Sequence, residues 1–504
     1  MVQESYKVKG YGEFPRKFQC HTNRRLSSGY PVIKGPRSVN DKIAIIGAGM
    51  GGVHMASLLK ERGYKNIKIF EQRQEVGGKA YSRFYRGVWQ DFGAAFMTEI
   101  YDKIVSLLGR YNAGFKIVAK NPISIWQNDF EDTNLRIILI RRSGETSPEA
   151  ALRRVQAALA KYGRIHRCLF GNYSSELMPR PVPEILHEIR GSFLDFLRRN
   201  DLLLLEPIFE TALSKNGYGN LNQISAIYGL KWIPPEAVNA AFKPENGLWL
   251  LRGGFQRLVS EIVKRNQLNI HFGVNIKNIQ RRKGPSGIHI TYSSQNDPSV
   301  FKESFDFLIL SPAMNSLLDI VDFNLRERNI FSTLVNSYII ASLVESDNGR
   351  RGQDPHMDFT TSIEPPYSVE GGINFYQARK NITGDAHRLG IRENGPNGRP
   401  QEAVMYQQYG FENPFTKEMG FIIQSKLQAH LRLFDKTNAH ILEQIKWGYY
   451  FPRFPPKDAD RGYLWDILDM QGQFNTWYIG SSVCFESMES VVEYNYLLIR
   501  RAGL

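Results

Sequence analysis

Residues 41–79, DKIAIIGAGMGGVHMASLLKERGYKNIKIFEQRQEVGGK, constrain the fold more than any other part of the chain. A run of buried-strand type, Ile43 to Ile46, meets a turn carrying Gly47, Gly49, Gly51 and Gly52. A helical pattern follows, then a second strand from Ile67 to Phe70 that ends on Glu71. Strand, glycine turn, helix and strand in this order form a dinucleotide-binding unit. Gly47 permits the tight turn. Gly49 lets the backbone approach a pyrophosphate. Gly52, with Ala56 one turn on, lets the helix pack closely, and the free N–H groups at the helix start face the phosphates. Glu71 stands 24 residues after Gly47, where a carboxylate accepts from ribose hydroxyls.

The next segment separates FAD from NAD. After Glu71 come Gly77, Gly78 and Lys79. A second glycine pair brings another loop down over the pyrophosphate, as in FAD enzymes of the glutathione-reductase and amine-oxidase type. No second G-x-G-x-x-G lies between a strand and a helix, so no unit for a nicotinamide cofactor is visible.

The rest of the chain bounds the problem. Its 504 residues suffice for two or three domains. Its apolar runs are too short to span a bilayer. The start, MVQESYKVKGYGEFPRKFQC, lacks the apolar stretch of a secretory signal. Three cysteines (Cys20, Cys168, Cys484) are too few and scattered for a disulfide framework or a metal site, so a cytoplasmic, reducing location is expected. Net charge is +14. No nucleic-acid module accompanies it, which leaves solubility, anionic ligands or peripheral membrane contact. The segment 147–166 reads as a basic amphipathic helix, with Ser147 as N-cap and Pro148 first, whose apolar face suits core or membrane. His54 in the dinucleotide helix reads as packed or solvated. No Cys/His cluster has metal spacing, so no metal is expected.

The expected fold class is α/β: a discontinuous Rossmann-like FAD-binding domain with an inserted α+β substrate domain and a helical subdomain. The expected partition is an N-terminal arm over 1–40 and the FAD domain in three parts, 41–110, 246–325 and 446–504. A helical substrate-side region takes 111–245, and a substrate domain takes 326–445, with Pro- and Gly-rich loops at 348–400.

With Asp91-Phe92-Gly93-Ala94 added to 41–79, the chain resembles the flavin-containing amine oxidase and phytoene desaturase superfamily. Within it, the chain is most similar to the FAD-dependent polyunsaturated fatty acid isomerases. The closer likeness rests on GGKAYSRFYRGVWQDFGA, NGYGN at 216–220, YGLKW at 228–232, GLWLLRGGFQRL at 247–258, WGYYFPRF at 447–454 and MQGQFNTWYIG at 470–480. The resemblance implies that Gly47, Gly49, Gly52, Glu71, Gly77, Gly78 and Lys79 hold the ADP half. It puts the Ile276 backbone at the adenine and Gly93, Ala94 and Ala95 beside the isoalloxazine. It puts Gly480 and Ser481 at the ribityl or pyrophosphate, and Met488 and Val491 at the helix beneath the flavin.

Two departures stand out. The superfamily has Gly-Glu where this chain has Gly480-Ser481. The isomerases arrange the fatty acid with an arginine and two phenylalanines. Phe242 matches one phenylalanine across a small insertion, Asn216 stands where the other would be, and Lys120 is the cation nearest the arginine's place. Burying about sixteen methylenes at about 0.8 kcal/mol each outweighs a surface ion pair of about 0–1 kcal/mol. Loss of the arginine therefore bears on which carbon meets the flavin more than on whether a lipid binds.

The implied activity is isomerisation of an unsaturated fatty acid or related lipid, by hydride abstraction to flavin N5 and return to another carbon. The alternative is an FAD-dependent oxidase or desaturase of an amine or polyene, using oxygen or another acceptor. A third reading is a flavin-binding scaffold without turnover. Lys231 is a candidate for the carboxylate or an ordinary surface lysine. Trp126, Trp232, Phe242 and Trp249 are candidates for a tunnel wall or for plain core.

Overall fold

The computed structural model describes residues 32–504, apart from 120–122, 128–130, 174–176, 238–247, 347–355, 360–372, 379–400, 410–415 and 434–438 and positions 86, 99, 115, 134, 172, 215, 283 and 296. Phe242, Lys120, most of the 1–40 arm and most of the 348–400 loops lie outside the described residues.

A five-stranded parallel sheet forms the centre, in the order Thr476–Tyr478, Phe307–Leu310, Lys42–Ile46, Asn66–Phe70, Ile270–His271. Both faces of its central strands are covered, so Ile43 to Ile46 and Phe307 to Leu310 are buried at every position. Continuous apolar runs, not alternation, are what such strands require. The chain returns to this sheet after long excursions, because Phe307–Leu310 pairs with Lys42–Ile46 and Thr476–Tyr478 pairs with Phe307–Leu310. A three-stranded antiparallel sheet (Val274–Arg281, Ile288–Ser294, Asp297–Phe305) continues from the edge strand.

Buried Arg281 fastens this smaller sheet to the centre. Its guanidinium donates to Asp322 Oδ1 at 2.8 Å, Glu327 Oε2 at 2.7 Å and the Tyr478 hydroxyl at 3.1 Å. The N-terminal approach is tied down too. Ile33 N–H donates to Arg501 O at 3.2 Å, and Trp477 Nε1 donates to Lys34 O at 2.8 Å.

The second layer is a seven-stranded sheet, in the order His440–Arg453, Val335–Ser346, Gln401–Tyr409, Ile373–Ala378, His356–Phe359, Ile123–Gln127, Glu131–Thr133. Two expectations change here. The 111–245 stretch opens on three strands (Lys116–Ala119, Ile123–Gln127, Glu131–Thr133) and becomes helical only from Leu135. Glu131–Thr133 folds back locally on Ile123–Gln127, but the other partners lie far off in sequence, Leu248–Leu251 for Lys116–Ala119 and His356–Phe359 for Ile123–Gln127. The boundary at 446 also falls inside one strand, His440–Arg453, which pairs with Val335–Ser346 as far as Val335↔Arg453.

The helical region behaves locally as read. Pro148–Phe170 is one helix, and Ser147 Oγ accepts from Ala150 N–H at 3.1 Å. Ser192 and Asp195 form a capping box at Phe193–Arg199. Near the end of the first of these helices, Cys168 is disulfide-bonded, while Cys484 is free and buried. Pairing depends on two Cα atoms lying within about 7 Å in space, which sequence spacing does not report. Among the described residues, no helix is long and apolar enough to cross a membrane.

Candidate functional site

The site begins at the first glycine turn. Gly47 has φ +96°, a conformation that favours glycine. Its N–H donates to Phe70 O at 2.8 Å, which fixes the turn to the neighbouring strand. The helix Met50–Glu61 then starts with Gly49 at its N-cap. Gly52 is required by its own turn, since a Cβ there would stand 2.0 Å from Gly47 O. Gly51 is required by its neighbours, since a Cβ would meet Ser311 Oγ at 2.9 Å and Val491 Cγ1 at 3.2 Å. Gly49 differs. Its Cβ would find nothing nearer than Gly78 Cα at 3.7 Å. A Cβ there would make only ordinary contacts, and Gly49 lines the cavity described below.

Glu71 is buried and holds the turn. Its Oε2 accepts from Ala48 N–H at 2.7 Å and its Oε1 from Arg73 N–H at 2.9 Å. Each carboxylate oxygen has further acceptor capacity. The second glycine pair lies against the first. Gly77 N–H donates to Ala48 O at 2.9 Å, and a Cβ on Gly78 would approach Gly49 Cα to 3.1 Å. Two glycine turns thus face each other with no side chain between them.

The far end is as tightly specified. Ala94 N–H donates to Lys79 O at 2.9 Å, and a Cβ on Gly93 would fall 1.8 Å from that oxygen. Gly480 has φ +84°, and a Cβ there would meet Ser311 O at 2.5 Å. The C-terminal helix Met488–Arg501 starts at this point, with Ser487 Oγ accepting from Ser490 N–H at 3.1 Å. Asn495 Nδ2 donates to Gly51 O at 2.8 Å and locks this helix to the glycine-turn helix.

These elements enclose a cavity of about 620 Å³. Gly47, Gly49, Gly51, Glu71, Gly77 and Gly78 line it, as do Lys79, Gly93, Ala94 and Ala95. Ile276, Gly480, Ser481, Met488 and Val491 complete that set. Gly52 supports the turn from behind and does not line the cavity. Asn216 lines it with its side chain already committed, because Nδ2 donates to Ala212 O at 2.6 Å. Lys231 is not a surface cation and is not at the cavity. It is buried, 4.0 Å from Glu493 Oε2. Neither reading of Lys231, as a holder of the substrate carboxylate at this cavity or as an ordinary surface lysine, matches this placement. Trp232 stacks on Phe485 at 4.9 Å and 8°, as core.

An aromatic wall was missed. Tyr218 and Tyr450 both line the cavity and stack at 6.1 Å and 18°. Tyr218 OH donates to Glu486 O and Tyr450 OH to Asn216 O, each at 2.5 Å. Burial raises both phenols well above their usual range, so they stay neutral donors. Trp447 Nε1 donates to Phe92 O at 2.7 Å and brings its ring to the same wall. The aromatic-glycine runs NGYGN and WGYYFPRF held this signal. Glu486, also at the cavity, gave no signal in its local sequence.

FAD fits these residues. Two apposed glycine turns can admit a pyrophosphate, the α-helix start supplies N–H groups, and Glu71 stands at the end of the second strand. Among the described residues, no group of three or more His, Cys, Asp or Glu could hold a metal.

This fold and cradle define an FAD-dependent flavoenzyme. The chain belongs to the flavin containing amine oxidoreductase family, whose pattern matches residues 50–317. It is similar to the polyenoic fatty acid isomerase of Ptilota filicina, at 23% identity over 490 residues, covering 90% of this chain and 93% of that protein. It is also similar to prenylcysteine oxidase 1 of Homo sapiens, at 26% over 267 residues, covering 49% of this chain and 50% of that protein. Among solved structures, a CLA-producing fatty acid isomerase from P. acnes shares the fold with a TM-score of 0.74 at 20% identity, covering 93% of this chain and all of that one.

Proposed function

We propose that this flavoenzyme isomerises an unsaturated fatty acid or a closely related lipid, moving a double bond without net oxidation. The observation that carries the reading is the likeness over 90% of the chain to a protein named a polyenoic fatty acid isomerase. The site agrees with it chemically. FAD, when bound, supplies a hydride acceptor that can also give the hydride back. The protein's part is to position the cofactor and to keep the reacting carbon dry. The Tyr218–Tyr450 wall serves the second task, because its hydroxyls are spent on backbone carbonyls and its rings can face an apolar chain. The charged side chains among the described lining residues are Glu71, Lys79 and Glu486, and all three have protein partners.

The second reading, an oxidase, is favoured by the half-length likeness to prenylcysteine oxidase 1. Oxygen uptake separates the two. Substrate turnover in air with no stoichiometric oxygen consumption supports the isomerase. One oxygen consumed per substrate converted would replace it with the oxidase.

A further inference from the structure

Lys79 is the single cation among the described residues lining the cavity, and it is not free. Its Nζ lies 2.6 Å from Glu486 Oε2 and donates to Ser481 Oγ and Tyr449 O at 3.4 Å each. It also stands 5.6 Å from the centre of the Tyr450 ring. Glu486 is held more firmly than its partner. Its Oε2 accepts from Phe451 N–H at 2.8 Å, its backbone carbonyl accepts from Tyr218, and its side chain is 10% exposed against 31% for Lys79. The loop before the C-terminal helix therefore carries a fixed carboxylate five residues after Ser481, the position where the superfamily has its glutamate.

We propose that Glu486 is a positioning residue for the flavin, which holds Lys79 in a neutral pair at the cavity wall and thereby sets both FAD affinity and flavin potential. The inference rests on the FAD assignment and not on the identity of the substrate. Its logic is electrostatic. FAD would bring two phosphate charges, and a hydride transferred to it would add one more negative charge. A lone lysine at the wall would favour both. Pairing removes that net charge and leaves the phosphates to backbone N–H groups and the helix start. A cofactor not stabilised by a lone cation after accepting hydride is better able to return it.

The test is a charge cycle on purified protein, reading FAD dissociation constant, midpoint potential and thermal unfolding. Glu486→Gln keeps an acceptor for Phe451 N–H and for Lys79 but removes the charge. It is expected to bind FAD several-fold more tightly at low salt and to raise the flavin potential. Lys79→Met is expected to shift both in the opposite direction. The double variant K79M/E486Q, which restores the net charge, is expected to return both values close to the unmodified protein. A merely structural role would weaken FAD in both single variants and add in the double, and that result would overturn the proposal. An unshifted potential in E486Q would overturn it too. Should E486Q not fold, K79M decides alone, since unchanged FAD affinity and potential would contradict the pairing. If unmodified protein binds no FAD at all, the cofactor assignment fails first, and that failure is visible before any variant is made.

Discussion

The Ala48 N–H donates to Glu71 Oε2 at 2.7 Å, so the carboxylate at the end of the second strand is part of the glycine turn at the end of the first. Glu71 also accepts from Arg73 N–H, and one side chain thus organises two loops that border the cofactor. Removing it should do more than delete a ribose contact. Glu71→Ala leaves two backbone donors without their acceptor, at a cost of about 1–3 kcal/mol for each that stays buried. Both FAD affinity and the melting temperature of the cofactor-free protein should fall. A loss of affinity with unchanged apo stability would contradict the structural part of this role.

The glycine turn should separate binding from folding. Gly49 has φ −74° and ψ −179°, which other residues adopt, and a Cβ there meets no protein atom closer than 3.7 Å. Gly49→Val should fold and lose FAD. A Cβ at Gly52 would lie 2.0 Å from Gly47 O, so Gly52→Ala should destabilise the protein itself. Absorbance of bound flavin and thermal unfolding distinguish the two. Full FAD retention in Gly49→Val would remove the pyrophosphate from this turn.

Stability should fall as pH rises towards 8, because of Glu210. This side chain is fully buried, and burial, with Glu206 nearby, raises its carboxyl to about 8 despite a hydrogen bond from Leu221 N–H. In the unfolded chain it titrates near about 4.3. Below that value both states hold the proton and the stabilisation is complete. Between the two values only the folded state holds it, so stability declines with pH and is lost through the folded value. Glu210→Gln mimics the protonated form and should flatten this limb, with its gain over the unmodified protein growing up to pH 8. Parallel melting curves across that window would contradict the buried, protonated assignment.

Much of the fold was legible because its signals are local. The strand Asn66–Phe70 and the Ser147 cap appear where the sequence puts them. Glu71 was legible as the acidic residue that ends the second strand but not as a clamp on Ala48, because its spacing reports strand length and not hydrogen-bond partners. What escaped was long-range. Lys231 reads as a candidate for the carboxylate or as a surface lysine until Glu493 is seen beside it. Glu486 meets Lys79 across 407 positions. The strands Lys116–Ala119 and Ile123–Gln127 find their distant partners only after the chain has passed through the helical region. Cys168 needed a partner that spacing could not supply.

The central claim is redox-neutral movement of a double bond, and mass spectrometry of an anaerobic incubation tests it most directly. Linoleic or linolenic acid is incubated with purified, FAD-loaded protein without oxygen or added acceptor, over many turnovers. The account predicts a conjugated diene of unchanged mass in amounts far above the enzyme concentration. A product lighter by two hydrogens, formed only to the extent of the flavin present, would instead make the protein a dehydrogenase that needs an acceptor.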